Sequence, residues 1–143
     1  MKLAYIDSSV WISRIEGISS YQNLIDNALN DLGNSGWIFC ISEAVILETL
    51  IKPYKNFQRD LIILYNKLFE QAEVLEISPD VFKNALLLSQ LENLKAMDAV
   101  HLSIAAHHGC KRFISTDPNF RNLKTITPVW IDLAQAKENN KTI

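Results

Sequence analysis

The sequence predicts an α/β fold: a doubly wound parallel sheet of about four to five strands, flanked by helices. Short apolar runs typical of buried strands alternate with helical segments along the whole chain. No Pro/Gly-rich linker or internal repeat divides the 143 residues, a length that suits one domain with a sizeable core. Alternating strands and helices are joined by right-handed crossovers, which make neighbouring strands parallel.

The predicted strands are short runs rich in apolar residues. They cover residues 3–6, 37–41, 74–77 and 112–115, with a last strand within 125–131. Ligands gather at the carboxyl ends of such strands. Polar residues directly after a strand are therefore the first candidates for a functional site.

The predicted helices fill the segments between these strands. They cover residues 9–16, 21–32, 43–50, 57–72, 79–90 and 97–108. Their boundaries come from N-caps at Ser42 and Ser78, from closing glycines at 17, 33 and 109, and from Pro53 beyond the third helix. We expect residues 1–136 to form the domain and the polar residues 137–143 to be a frayed tail.

Composition excludes several classes of protein. The 14 basic and 16 acidic residues give a net charge of −2, so the chain has no basic excess typical of nucleic-acid binders. If four acids share one site, the remaining 12 acidic residues leave a mildly positive surface. Cys40 and Cys110 are too few for a disulfide framework. An acid at Asp7 comes too early for a signal peptide, and no apolar run reaches membrane-spanning length. We expect a cytoplasmic protein.

Four carboxylates lie beside apolar runs, far apart in the sequence. Asp7 and Asp117 follow strands, Glu48 lies in the helix after the second strand, and Asp98 opens a later helix. Acids in such places are costly unless they are paired or bind a metal. Each one alone is also compatible with a helix cap or a surface ion pair. Together they predict one shared site for a hard cation, Mg²⁺ or Mn²⁺, which suits phosphodiester chemistry.

The segments around these acids resemble a known family, the PIN domain, and within it the VapC-type toxin ribonucleases. The similar segments are residues 7–10, 42–53, 95–106 and 113–120, in the order in which the family has them. The third is the most specific, because Asp98-Ala99-Val100-His101 is very similar to the start of the family's Asp-Ala-x-His-x-x-x-Ala helix.

The resemblance implies a Mg²⁺- or Mn²⁺-dependent endoribonuclease that a small antitoxin protein neutralises. Asp7 and Asp98 are the expected direct metal ligands, since one leaves a strand end and the other opens an inward helix face. Glu48 and Asp117 would complete the shell, or hold a second ion and the attacking water. Glu43 is the alternative to Glu48 as the acid that this helix contributes to the site. Glu43 directly follows the cap Ser42, a position that is explained by a favourable interaction with the helix dipole, so Glu48 is preferred.

Three further side chains lie near these acids. The hydroxyls of Ser9 and Thr116 could hydrogen-bond the ligand carboxylates. His101 follows Asp98 by three residues and shares its helix face, so it could orient a metal-bound water. A packed, hydrogen-bonded histidine is the favoured interpretation.

Several basic residues could contact RNA phosphates beside the acidic pocket. They are Lys52, which shares the helix face of Glu48, and Lys55, Arg59, Arg121 and Lys124. An ordinary solvated surface explains each of them equally well when it is taken singly.

The predicted helix 57–72 carries more apolar residues than one face needs. Phe57, Leu61, Leu64, Tyr65 and Leu68 follow helical spacing and predict a core stripe. Ile62, Ile63 and Phe69 fall outside it, which favours a homodimer interface over burial within the chain.

Two other functions share these sequence features. An aspartate-based phosphatase would use Asp7 as a covalent nucleophile, although Ser9 stands where that chemistry expects a second aspartate. A non-catalytic interaction module could also keep the fold. The sequence does not identify the RNA target.

Overall fold

The computed structural model describes residues 1–136 and contains a five-stranded sheet. The strands are β1 (Leu3–Ile6), β2 (Ile38–Ser42), β3 (Glu73–Leu75), β4 (Arg112–Ser115) and β5 (Thr127–Trp130). The helices are α1 (Ser8–Glu16), α2 (Ser19–Asn34), α3 (Glu43–Lys55), α4 (Arg59–Phe69), α5 (Asp80–Glu92) and α6 (Ala96–His107), with a 3-10 helix at Pro118–Phe120. Residues 133–136 are also helical. The predicted tail, 137–143, lies outside the described residues.

All the strand pairs are parallel, and their order is β3-β2-β1-β4-β5. The predicted doubly wound α/β fold is therefore confirmed. The chain builds outward from β1 to β3 on one side and then returns to place β4 and β5 on the other. The order of strands thus reverses between β1 and β4, and sheets of this kind hold ligands in the crevice at that point.

Successive side chains of β1 point to opposite faces of the sheet. Ala4 and Ile6 lie in one buried cluster with Val10 of α1 and Ile25 of α2. Tyr5 lies in the larger cluster on the other face, which α3 to α6 cover. A strand buried on both faces explains why β1 is apolar throughout.

The third and fourth helices differ from the prediction. α3 continues through Pro53 to Lys55, so the predicted end at Leu50 was wrong. The ring of Pro53 is buried, and its packing offsets the backbone hydrogen bond that proline lacks. α4 is shorter than the predicted 57–72, because Phe57 has a left-handed φ of 54° that interrupts the helix.

Other predicted boundaries also move. Gly33 lies inside α2 and does not end it, and β3 stops at Leu75. α5 begins at Asp80 with Pro79 as its N-cap residue, so Ser78 does not cap this helix.

The predicted core stripe of α4 is only partly correct. Tyr65 is fully buried, but Phe57 is 90 % exposed and Leu64 is 45 % exposed. Phe69 was assigned to a dimer surface and instead is 6 % exposed, with its ring packed edge-on against Trp11 at 5.2 Å. Of the three residues assigned to the dimer surface, only Ile63 is exposed, at 59 %. Helical spacing failed here because the face that α4 buries depends on α1.

Both cysteines, Cys40 and Cys110, are free and buried. No helix within residues 1–136 is long and apolar enough to cross a membrane.

Candidate active site

Asp7 lies directly after β1, at the point where the strand order reverses. It is the N-cap of α1, and its Oδ1 accepts hydrogen bonds from the backbone N–H of Ser9 at 3.1 Å and from Ser9 Oγ at 2.6 Å. The other oxygen, Oδ2, accepts from Ser115 Oγ at 2.7 Å. The side chain is thus held by neutral donors at the carboxyl ends of two adjacent strands.

Burial makes Asp7 an unusual acid. The residue is 4 % exposed, and this burial raises the pKa of its carboxyl to about 6, although hydrogen bonds from Ser9 and Ser115 and the nearby His101 oppose the rise. An ionised carboxylate here lacks the water that would normally solvate it. A bound cation would supply the missing stabilisation.

Glu48 lies on α3 and is fixed by two side chains from other elements. Its Oε1 accepts a hydrogen bond from Ser8 Oγ of α1 at 2.8 Å and is also bonded to His101 Nε2 of α6. The hydrogen bond with His101 lowers the pKa of Glu48, and the bond from Ser8 adds to that effect. Glu48 is therefore ionised over the whole neutral range. Glu43, the competing candidate, is exposed on the first turn of α3.

Asp98 lies in the first turn of α6 and is half-buried. Partial burial raises the pKa of its carboxyl, and the negative charges of Asp117 and Glu48 raise it further. Carboxylates affect one another in this way only when they lie near each other. Asp98 therefore lies within electrostatic range of Asp117, which follows β4, and of Glu48 on α3.

Asp117 has two roles in the structure. Its Oδ1 caps the 3-10 helix by accepting from the backbone N–H of Asn119 at 2.9 Å. Its own backbone N–H donates to Ser115 Oγ at 2.9 Å, which ties it to the serine that holds Asp7. The turn-cap interpretation and the site interpretation are therefore compatible.

The donor chemistry of this site fits Mg²⁺ or Mn²⁺, since it consists of carboxylate and hydroxyl oxygens. Within residues 1–136, however, no three His, Cys, Asp or Glu side chains are gathered as tightly as a complete ligand set. Mg²⁺ retains several waters, which can span the remaining distance to outer carboxylates. The residues fit a partly hydrated ion held by one or two acids.

Sequence reasoning missed Ser115, which joins three parts of the site. It is 1 % exposed and bonds Asp7, Asp117 and, at 3.3 Å, the hydroxyl of Ser9. The available signal was a hydroxyl at the end of an apolar strand, two residues before an acid. Thr116 differs from the expectation, because its backbone N–H, not its hydroxyl, makes the contact, donating to Ser9 Oγ at 3.1 Å.

His101 is the packed, hydrogen-bonded histidine that the sequence favoured. It is 2 % exposed, and both ring nitrogens have partners: Nε2 is bonded to Glu48, and Nδ1 lies 2.7 Å from Tyr5 Oη. Tyr5 and Ser8, which complete this arrangement, were not among the candidates.

The candidate RNA-contacting residues remain accessible. Lys52, Lys55, Arg59 and Arg121 are exposed, and none of them is ion-paired with a residue in the described part of the chain. Arg121 lies over the Trp130 ring at 5.8 Å. The backbone N–H of Lys124, the fifth candidate, donates to the carboxylate of Glu92.

Comparison with known proteins gives one family and a consistent set of folds. The sequence model of the PIN domain family matches residues 4–126. A comparison with proteins of curated function found no match. The fold is similar to that of a chain in VapBC2 from Rickettsia felis, bound to a DNA fragment from its promoter. That match has a TM-score of 0.71 and 14 % identity, and it covers 91 % of this chain and 99 % of the other.

Two further solved structures are similar. A chain in a toxin–antitoxin complex from Klebsiella pneumoniae matches with a TM-score of 0.66 and 19 % identity, covering 87 % of this chain and 95 % of the other. VapC20 from Mycobacterium tuberculosis, a toxin that cleaves the sarcin–ricin loop, matches with a TM-score of 0.63 and 15 % identity. It covers 87 % of this chain and 99 % of that toxin.

Proposed function

The chain belongs to the PIN domain family, and on that premise we propose that it is a metal-dependent endoribonuclease, the toxin of a toxin–antitoxin pair. The observation that carries the proposal is the carboxyl of Asp7, which is buried at the crevice where the strand order reverses and forms no ion pair with a Lys or Arg within residues 1–136. Asp98, whose pKa is raised in part by Asp117 and Glu48, supports a shared cluster of four acids.

The four acids have different roles in the proposed phosphodiester cleavage. Asp7 and Asp98 would hold Mg²⁺ or Mn²⁺, and Glu48 and Asp117 would complete its surroundings. A bound ion would supply polarisation of the scissile phosphate and a lowered pKa for a water. Glu48, held by Ser8 and His101, presents its free oxygen, Oε2, to orient that water and accept its proton.

The exposed cations proposed as RNA contacts suit the RNA backbone. Lys52, Lys55, Arg59 and Arg121 have no acidic partner within residues 1–136, so their charges are free to meet phosphates. The Trp130 ring beneath Arg121 offers a surface on which a base of single-stranded RNA could stack.

Asp98→Asn tests the nuclease directly. The variant removes one negative charge and one hard oxygen ligand from the cluster, so RNA cleavage with Mn²⁺ should fall at least about a hundredfold. The fold should remain, with equal or slightly higher metal-free stability, because the charge repulsion is relieved. Glu43→Gln, at an exposed acid outside the cluster, is the matched control and should cleave normally. Normal cleavage by Asp98→Asn would refute the assignment.

A small antitoxin is the proposed partner. The similar folds from Rickettsia felis and Klebsiella pneumoniae occur in toxin–antitoxin assemblies, which supports this proposal. A basic side chain of the antitoxin could enter the acidic pocket and pair with the carboxylates in place of metal.

Expression of the wild-type chain alone should stop the growth of a bacterial host, and Asp98→Asn should not. Co-expression of an antitoxin encoded by a small open reading frame beside the gene, where the genome contains one, should restore growth. Growth arrest by the inactive variant would show that toxicity, and hence the need for an antitoxin, does not come from cleavage.

A homodimer is also proposed, but on a surface other than α4. The helix α5 exposes Phe82 (57 %), Leu86 (76 %), Leu87 (61 %) and Leu91 (75 %). Large apolar side chains grouped on one helix mark an association surface more often than a free one. We propose that a second copy of this chain covers this apolar surface of α5.

The phosphatase alternative is less well supported. Ser9 stands where that chemistry expects a second aspartate, and its hydroxyl instead donates a hydrogen bond to Asp7.

A further inference from the structure

A buried chain of hydrogen bonds leads from the end of β2 to the site. Ser42 Oγ lies 2.8 Å from Tyr5 Oη, and Tyr5 Oη lies 2.7 Å from His101 Nδ1. The other ring nitrogen, Nε2, is bonded to Glu48. Ser42 and Tyr5 are fully buried and His101 is 2 % exposed, so water does not compete for these bonds. Of the four residues in this hydrogen-bonded chain, only Glu48 takes part directly in the proposed reaction.

The direction of each hydrogen bond in this chain can be derived by starting from Glu48, the carboxylate at one end of the chain. An ionised carboxylate only accepts, so the hydrogen between Glu48 and His101 belongs to Nε2. In a neutral ring the other nitrogen, Nδ1, is then an acceptor, and the Tyr5 hydroxyl must donate to it. Burial raises the pKa of Tyr5, so this hydroxyl keeps its hydrogen. Tyr5 Oη in turn accepts from Ser42.

Ser42 gives independent support for this chain. It is the N-cap residue of α3, where a serine side chain normally accepts a hydrogen bond from the first turn of the helix. Here it makes no such bond, and its hydroxyl contacts Tyr5. The Ser42 hydroxyl thus contacts Tyr5, which leads to the site, and does not stabilise the first turn of α3.

The tautomer of His101 determines whether it attracts or repels Glu48. With hydrogen on Nε2 the ring donates to the carboxylate. With hydrogen on Nδ1 it would turn a lone pair toward a negative charge. We infer that Tyr5 is a positioning residue: by donating to Nδ1, its hydroxyl reinforces the Nε2-protonated form of His101 that Glu48 already favours, and the ring fixed in this way holds Glu48 in place for the reaction. This inference rests on the proposed nuclease function.

Tyr5→Phe is the variant that tests it, because only one oxygen is lost. The ring should stay in place, since it stacks on Phe113 with centroids 5.4 Å apart. Tyr65→Phe is the matched control: it also removes a buried tyrosine hydroxyl, one that donates to Glu16 outside the site.

The first readout is nitrogen-15 NMR of the histidine rings in the metal-free protein at pH 8. Wild type and Tyr65→Phe should show His101 as a neutral ring with hydrogen on Nε2 alone, and Tyr5→Phe should show a mixture of tautomers. A wild-type ring protonated on Nδ1, or an unchanged ring in Tyr5→Phe, would overturn the inference without touching the proposed nuclease.

The second readout is single-turnover RNA cleavage with Mn²⁺. Loss of a residue that orients a functional side chain typically costs about tenfold to a hundredfold, and we expect a fall in that range for Tyr5→Phe. If Tyr5 acts through His101, adding Tyr5→Phe to His101→Gln should cause no further fall. Additive losses would contradict the inference. An inactive wild type would instead refute the proposed function, with the NMR result still deciding the role of Tyr5.

Discussion

The side chain of Asp7 lowers the stability of the metal-free protein and is also the proposed metal ligand. Its carboxyl is buried among hydroxyl and amide donors, and its pKa of about 6 shows that the charged form is disfavoured there. Binding sites commonly keep such a group, because the ligand relieves the penalty when it binds. The metal-free protein therefore bears a cost that a neutral side chain would avoid.

Asp7→Asn should stabilise the metal-free protein at pH 7.5. Raising the pKa from 3.8 to about 6 means that the folded state binds the proton more tightly than the unfolded chain, so wild-type stability rises as pH falls through 6 toward 4. Above pH 6 the full penalty applies, about 1–3 kcal/mol at about 1.4 kcal/mol per pKa unit. The advantage of the variant should shrink below pH 6 and vanish near pH 4.

Urea unfolding in EDTA at pH 7.5, 6 and 4.5 measures this difference. Asp60→Asn, at an exposed acid in the first turn of α4, is the control and should show no such gain. An Asp7→Asn variant less stable than wild type at pH 7.5 would show that the hydrogen bonds from Ser9 and Ser115 outweigh the burial penalty.

Among the helices, α4 does not present the apolar surface that its sequence predicted, and α5 presents one that the sequence analysis did not identify. α4 buries Tyr65 and Phe69 against the neighbouring α1, and α5 exposes a row of large apolar residues. Both helices contain enough apolar residues for either role. The difference arises because α6 covers only one face of α5.

Leu86→Lys with Leu91→Lys should dissociate the proposed homodimer. Both side chains are at least 75 % exposed within the monomer, so two lysines there remain solvated and leave the fold intact, but they place like charges in a dimer interface. Light scattering should give the monomer mass for this variant. Phe57→Lys, at a side chain that is 90 % exposed but outside α5, should keep the wild-type mass. A monomeric wild type would end the dimer proposal.

At the scale of the whole molecule, the proposed metal site would link metal binding to folding. Its four acids come from the residues that follow β1 and β4 and from α3 and α6, so they approach one another only in the assembled fold, and a metal bound by them would stabilise the folded state by mass action. This linkage separates the nuclease from a non-catalytic module with the same fold.

A thermal melt with Mn²⁺ should therefore show a higher Tm than a melt in EDTA. Metal at ten times its Kd should add about 1.4 kcal/mol to the free energy of unfolding. Asp98→Asn should lose most of this gain, and Glu43→Gln should keep it. An unchanged wild-type Tm at millimolar Mn²⁺ would favour the non-catalytic module.

The sequence alone was enough to predict the α/β class, the parallel sheet and the placement of Asp7 and Asp117 at strand ends. These features follow from local patterns: apolar runs, their alternation with helices, and acids at the boundaries. Tertiary structure decided the rest. Ser115 meets Asp7 across 108 residues, and Tyr5 meets His101 across 96. A serine or tyrosine within an apolar run has the same local pattern whether or not it finds a distant partner. The burial of Phe69 and the exposure of α5 likewise depend on which helices pack over them.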